Sequence, residues 1–267
     1  MKLSFIGGGK MAESIVHGVL SGNLAAPSDI AVGEPVAERR AFLKGEFGVS
    51  PVADNLEAAS GADLVVLAVK PQDLGPVLSQ LNGSLGAGQA ALSIVAGARM
   101  STLSQGLGHG AVVRVMPNTP AQVGSGMTLW TCSSGVSDGQ REMTKAVLSS
   151  FGEQIYVSDE KYMDMATALS ASGPAYVFLF IEALIDAGVY VGMPRDMART
   201  LALQTVFGSA RLVMETGRHP AELKDMVVSP GGTTAEALRV LEEQGVPAAI
   251  VAAVDAAFKK SVQLGQG

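Results

Sequence analysis

The chain has 267 residues, of which 48% are apolar, 16% charged and 5% aromatic. That is room for two domains or one large one, with a big aliphatic core and little polar surface for a monomer. A formal charge of −6 and a pI near 5.1 argue against nucleic acid or an anionic membrane as partner. Cys132 is the only cysteine, so an intrachain disulfide and a CxxC redox or metal site are excluded, and no bound metal is expected.

MKLSFIGGGK opens with an apolar run too short for a secretory signal before the glycines interrupt it. Strands and helices then alternate to about residue 158. KLSFI precedes KMAESIVHGVLSG, DIAVG precedes PVAERRAFLKGEF, and ADLVVLAV, counted as the fourth strand, precedes PQDLGPVLSQL. AALSIVA leads to a short helix ending near Leu107, and VVRVM, MTLWT, a helix from Asp138 to Ser150 and EQIYV complete this half. Such alternation predicts a mostly parallel sheet with helices on both faces.

Beyond Asp159 no strand pattern occurs, and Pro174, Pro194 and Pro220 each stand at the first turn of a helical pattern. Met165 to Ile181 is apolar and uncharged, but SASGP interrupts it and Glu182 ends it, too broken a run for a membrane span. AYVFLFIEALIDAG is apolar nearly all round and demands burial on every side. About 110 residues enclose such a helix with difficulty, so a second subunit is expected to cover it. The expected fold is α/β, with an N-terminal Rossmann-like doubly wound sheet over 1–158. An all-helical dimerisation and substrate-binding domain over 159–267 follows it. A soluble cytoplasmic protein is expected, with no membrane or nucleic-acid partner.

Gly7-Gly8-Gly9-Lys10-Met11-Ala12 fits G-x-G-x-x-A directly after the first strand and at the start of a helix. In a dinucleotide site the first glycine makes the turn and the next lets the backbone approach a pyrophosphate. The alanine lets helix and sheet pack closely. A plain strand-to-helix turn would read alike, and the βαβ setting favours the cofactor. Glu34 ends the second strand, where an acid accepts hydrogen bonds from ribose hydroxyls and favours NADH over NADPH. An acid before Pro35 is also an ordinary solvated residue, and Arg39 and Arg40 could serve a 2′-phosphate. Lys70, at the strand tip AVKPQD, faces the cofactor cleft by strand order, as a merely solvated lysine also would. Asn118 and Thr119, in the proline-stiffened MPNTP loop, could reach the nicotinamide side or simply form a turn.

Residues 229–236 read SPGGTTAE between two helical patterns. Structurally, Pro230 stops one helix and Thr233 caps the next, with Glu236 completing a capping box. Chemically, a Gly-Gly approach to a helix start bares several amides beside two hydroxyls, which is how a carboxylate is held. Carbonyl reduction needs a proton donor, yet no lysine lies between Lys161 and Lys224, and His17, His109 and His219 occupy no obvious catalytic turn. A protonated imine needs no such donor, so an acid-poor site beside a carboxylate-holding turn suits an imino acid.

These segments, taken together, resemble Δ1-pyrroline-5-carboxylate reductases over essentially the whole length. FIGGGKMAESI, AVKPQD and RVMPNTPAQVGSG match cofactor-side segments. TALSASGPAYVFLFIEALIDAGV, GMPRDMARTLALQTVFGSA and HPAELKDMVVSPGGTTAEALRVLE follow in the family's order. The resemblance implies hydride transfer from NADPH or NADH to the imine carbon, giving L-proline in the last step of proline biosynthesis. It implies a cofactor surface from Ile6, Gly7, Gly8, Gly9, Lys10 and Met11, with Glu34 and Asn55 beside it. Ala68, Val69, Lys70 and Pro71 would continue that surface, followed by Ala96, Asn118 and Thr119. Ser172, Gly173, Gly231, Gly232, Thr233 and Thr234 would bind substrate near a dimer interface, with Thr234 and Ser229 catalytic. It further implies an obligate homodimer of interleaved helices and assembly of dimers into rings. Two residues depart from the pattern. Ala171 stands where the family often has Gly, and Glu34 where NADPH users often have a small or basic residue.

Overall fold

The structure is a computed structural model and describes residues 1–265. Its strands are β1 (Leu3–Ile6), β2 (Ile30–Gly33), β3 (Ser50–Val52), β4 (Leu64–Leu67), β5 (Ala90–Ser93), β6 (Val112–Met116), β7 (Gly126–Cys132) and β8 (Gly152–Tyr156). They form one sheet in the order β3-β2-β1-β4-β5-β6-β7-β8. Every neighbouring pair is parallel except β6 with β7. Between the strands lie α1 (Lys10–Ser21), α2 (Ala37–Phe47), α3 (Asn55–Ala59), α4 (Leu74–Leu81), α5 (Met100–Leu107) and α6 (Asp138–Ser149).

Strand periodicity sorts the core into two layers. Leu3, Phe5, Leu64, Val66 and Leu92 point to the face covered by α1, α2 and α6. Ile6, Val65, Leu67 and Ala91 point to the face covered by α3, α4 and α5. β1, β4 and β5 are buried along their whole length, which is why they read as continuous apolar runs rather than alternating ones. Phe5 is fully buried, and truncating such a side chain to alanine costs about 3–5 kcal/mol. β3 is only Ser-Pro-Val, too short to carry a periodic signal.

After β8 come α7 (Lys161–Ala166), a π turn (Thr167–Ala171), α8 (Gly173–Tyr190), α9 (Arg195–Thr216), α10 (Pro220–Met226), α11 (Thr233–Glu243) and α12 (Val246–Leu264). No strand follows β8 among the described residues. Pro174 is the second residue of α8 and Pro220 the first of α10, whereas Pro194 stands just outside α9 as its N-cap. The chain divides into two compact units. Met1–Ser172 forms the first, which the chain rejoins from Ala257 onward, and Gly173–Ala256 forms the second. The first unit thus extends past the sequence boundary at residue 158, because α7 packs on β6 and β7 and the end of α12 bonds to α7 through Ser261 and Asp164.

Within the second unit α8 and α9 pack closely, and a Cβ on Gly188 would lie 2.7 Å from that of Ala198. No α8 residue is fully buried, and Phe178 and Leu179 are 60% and 68% exposed in the single chain. Lys161–Tyr190 runs as 30 helical residues with an 18-residue window of mean hydropathy 1.6, long and apolar enough by those measures to cross a membrane. The all-round apolar character read from the sequence is therefore present, and this chain alone does not cover it.

Candidate active site

At the C-terminal end of β1 the chain turns through Gly7, whose φ of +99° is closed to residues with side chains. A Cβ there would lie 2.8 Å from the Ala68 carbonyl oxygen. The Gly7 amide donates to the Gly33 carbonyl at 2.8 Å and the Ala68 amide to that of Ile6 at 2.8 Å, so the loop is pinned between the tips of β2 and β4. Ile6 is wholly buried in the core beneath the loop and presents no surface to a ligand. A Cβ on Gly8 would meet Leu43 at 2.6 Å, whereas one on Gly9 would meet nothing within 4 Å. Gly9 is therefore a glycine that the chain's own packing does not require. It N-caps α1 in extended conformation with no side-chain cap, which leaves the first-turn amides without a capping side chain at exposed Lys10 and half-buried Met11, with Ala12 packed in the core behind them. That cradle fits the pyrophosphate of a dinucleotide.

Glu34 closes one side of it. Its Oε2 accepts from the Gly8 amide at 3.1 Å and its Oε1 from the Val36 amide at 2.9 Å. Arg39 donates from Nε to the Gly8 carbonyl at 2.6 Å, pairs with Glu13 and stacks on Phe42 with its guanidinium carbon 4.9 Å from the ring centre. Arg40 donates to the carbonyls of Glu34 and Pro35, each at 2.8 Å. Both cations that could serve a 2′-phosphate are thus engaged within the chain. Asn55 opens α3 beneath β2, where its Oδ1 would lie 2.5 Å from a Cβ on Gly33, and its Nδ2 donates to Gln80 at 2.8 Å. Val69, Lys70 and Pro71 leave β4 toward the same end of the sheet, with Lys70 and Pro71 exposed, and Ala96 is exposed after β5.

Asn118 behaves differently from a free ligand group. Its Oδ1 accepts from the Met127 amide at 2.8 Å and its Nδ2 lies 3.3 Å from the Ser170 carbonyl and 3.4 Å from Ser170 Oγ. The carboxamide therefore ties loop to sheet and π turn, and exposed Thr119 next to it is the freer hydroxyl. Ser172 ends the π turn, its amide donating to the Thr167 carbonyl at 2.9 Å, and Gly173 opens α8.

In the second unit the SPGGTT loop corrects one expectation. Thr233 does not cap α11 and the capping box does not form. Gly232 is the N-cap, extended and without a side-chain cap, Thr233 is already helical, and Glu236 pairs with Arg239 at 3.1 Å. The reason is local. Gly231 turns left-handed at φ +67°, the Gly232 amide donates back to the Ser229 carbonyl at 3.0 Å, and the helix starts one residue early. A Cβ on Gly232 would lie 2.2 Å from Ser229 Oγ, and one on Gly231 would meet nothing within 4 Å. The first-turn amides of Thr233, Thr234 and Ala235 thus lack a capping side chain, beside an exposed Ser229 and a half-buried Thr234. This is a better anion cradle than the capped version.

Two of the three histidines are bonded within the chain. His109 Nε2 lies 2.9 Å from the Gln89 carbonyl, His219 Nδ1 accepts from the Ala221 amide at 3.2 Å, and His17 lies exposed on α1. Among the described residues no group of three His, Cys, Asp or Glu could hold a metal. Sequence reading missed Arg114, buried within β6. The available signal was a cation inside an otherwise apolar strand.

The sheet, the glycine cradle and the acid at the β2 tip define a dinucleotide-binding α/β oxidoreductase with an added helical unit. A family model described as pyrroline-5-carboxylate reductase dimerisation matches residues 160–264, and one described as NADP oxidoreductase, coenzyme F420-dependent, matches residues 2–97. Pyrroline-5-carboxylate reductase of Synechocystis sp. is 46% identical over all of this chain and 99% of its own. That of Escherichia coli is 42% identical over 98% of both chains. A crystal structure of Plasmodium falciparum pyrroline carboxylate reductase with NADP bound superposes with TM-score 0.91 at 35% identity, covering 99% of this chain and 98% of that one. The chain belongs to the pyrroline-5-carboxylate reductase family.

Proposed function

We infer that the protein is a NAD(P)H-dependent pyrroline-5-carboxylate reductase, catalysing the last step of proline biosynthesis. The observation that carries the chemistry is the uncapped start of α11 behind Gly231-Gly232. Backbone amides and the Thr234 hydroxyl there would hold the substrate carboxylate, with the helix N-terminus adding favourable charge. Ser229, held over the loop by the space that Gly232 leaves, would orient the ring. A reduced nicotinamide held by the first unit supplies the hydride. The chain itself would provide binding and orientation. A substrate protonated on nitrogen needs no acid from the chain, consistent with His109 and His219 being bonded within it.

The chain assembles as a homo-oligomer through its dimerisation region. We further propose that the dimer is obligate, that dimers join into a ring, and that the enzyme works in the cytoplasm. Residues 159–267 would act as the dimerisation and substrate-binding region. The bonding of Glu34 to the cradle, with Arg39 and Arg40 engaged, supports a preference for NADH. The deciding assay follows oxidation of NADH and of NADPH in parallel, with pyrroline-5-carboxylate, a six-membered cyclic imino acid and a hydroxy acid as substrates. Turnover confined to the five-membered imino acid supports the reading. Turnover of the hydroxy acid alone overturns it.

A further inference from the structure

Two polar side chains on β6 and its exit serve no step described so far. Arg114 is only 2% exposed and sits in the middle of Val-Val-Arg-Val-Met. Its guanidinium pairs with Glu160 at 2.8 Å and lies 3.8 Å from Asp164. Glu160 also accepts from the amide of Met100, where α5 begins, at 2.8 Å, and Asp164 accepts from Ser261 Oγ on α12 at 2.7 Å. One buried cation thus gathers α5, α7 and α12 onto β6. Two residues past the end of β6, Asn118 reaches Ser170 in the π turn and the Met127 amide near the start of β7.

α7 runs without a break into the π turn, so the stretch Lys161–Ser172 is fastened at two points to one strand and its exit. Burying a guanidinium is costly, and well-packed apolar side chains commonly serve stability as well or better. Stability alone therefore gives little reason for the arrangement. A π turn is a rare winding that recurs at functional sites. Here it carries Ser170 to Ala171, next to Ser172, while the strand that holds it runs directly into Met116-Pro117-Asn118-Thr119.

We propose that Arg114 and Asn118 form one positioning device, which fixes the π turn against the exit of β6 and so sets the geometry for hydride transfer. Neither side chain touches substrate or cofactor in this role, and Asn118 is reassigned from cofactor ligand to positioning residue. The proposal rests on the reductase reading above. A displacement of about 1 Å at a reacting centre can cost on the order of a hundredfold in rate, so a fastening this far from the chemistry has leverage on kcat.

The test uses the full-length enzyme and the variants Asn118→Ala, Arg114→Lys and Asp164→Asn, with the double variant Arg114→Lys/Asn118→Ala. Three quantities are measured per folded site. They are the Kd for NADH by fluorescence titration, kcat with pyrroline-5-carboxylate, and the deuterium isotope effect on kcat with stereospecifically C4-deuterated NADH. Each single variant should lower kcat by about ten- to a hundredfold and leave the Kd within about twofold. The isotope effect should rise as hydride transfer becomes more limiting, and the double variant should lose less than the product of its singles. If Arg114→Lys does not fold, Asp164→Asn, at the half-buried rim, carries the same reading. A Kd that weakens in step with kcat in Asn118→Ala overturns the proposal and makes Asn118 a cofactor ligand. A lower melting temperature with unchanged kcat and isotope effect also overturns it, leaving Arg114 a structural residue. An active wild type with such variants defeats the proposal alone, whereas a wild type inert toward pyrroline-5-carboxylate defeats the reductase reading as well.

Discussion

The amide of Gly8 donates to Oε2 of Glu34 across 3.1 Å, so the loop that would hold the pyrophosphate and the acid that would meet the ribose are bonded to each other. The acid is thereby held at the β2 tip and cannot easily swing away from a 2′-phosphate. Two like charges about 4 Å apart repel by about 1 kcal/mol in water and about 4 kcal/mol at an effective dielectric near 20. Glu34→Ser should therefore raise kcat/KM for NADPH relative to NADH by about tenfold or more. Steady-state kinetics with the two cofactors check this. A native enzyme that strongly prefers NADPH, with a ratio unmoved by the substitution, would remove Glu34 from specificity.

Thr233 and Thr234 are neighbours with different expected costs. Thr234→Ala removes a hydroxyl from the proposed carboxylate cradle, and a hydrogen bond to an ionised group is worth about 1.5–3 kcal/mol. Its kcat/KM for proline oxidation should fall roughly ten- to a hundredfold, with cofactor affinity nearly unchanged. Oxidation of pyrrolidine, which lacks the carboxylate, should be spared. Because Gly232 rather than Thr233 caps α11, Thr233→Ala should change stability by no more than about 0.5 kcal/mol, as for an ordinary surface change. Equal loss on proline and pyrrolidine in Thr234→Ala would displace the carboxylate from the loop.

Gly232→Ala forces a Cβ into the space of Ser229 Oγ, 2.2 Å away. We expect this variant to lose at least about tenfold in kcat/KM for proline, given the sensitivity of rate to small displacements. Adding Ser229→Ala should relieve the clash, so the double variant should melt above Gly232→Ala alone. Thermal denaturation of the two variants compares them directly. A double variant no more stable than the single one would show that the serine is not what requires glycine.

Phe178 and Leu179 are more than half exposed in one chain, and at about 25 cal/mol per Å² such surface favours association strongly. Sedimentation should find no folded, active monomer at nanomolar concentration, and Leu179→Glu should dissociate and inactivate the enzyme. A stable active monomer would contradict the obligate dimer.

Replacing His17, His109 or His219 singly should leave kcat within about tenfold, since a true general acid contributes about 10²–10⁴. His219→Ala removes the side-chain cap of α10 and should cost about 1 kcal/mol of stability instead. A thousandfold loss of kcat in any one of these, with the fold intact, would reveal a proton donor.

Much of this protein was legible in one dimension. The alternation of apolar runs with 3.6-period segments set the sheet and its helices, because a strand buried on both faces must be apolar throughout. GGGKMA announced the cradle, since its pattern is a local steric requirement. The apolar surround of α8 foretold a partner, because a single small unit cannot cover it. Each of these is a property of neighbouring residues.

Tertiary structure decided what depends on distant residues meeting. Arg39 and Arg40 could have served a 2′-phosphate as the sequence stands, and the fold engages them with Glu13 and the carbonyls of Gly8, Glu34 and Pro35. Asn118 read as a group that could reach the nicotinamide side or form a turn, and the fold bonds it to Met127 and Ser170. Thr233 read as a cap until the left-handed turn at Gly231 started the helix a residue early. A short motif records which hydrogen-bonding groups are present. Which of them remain free for a ligand is fixed only when the folded chain brings each donor and acceptor its partner, since a buried polar group must be satisfied wherever its partner lies in the sequence.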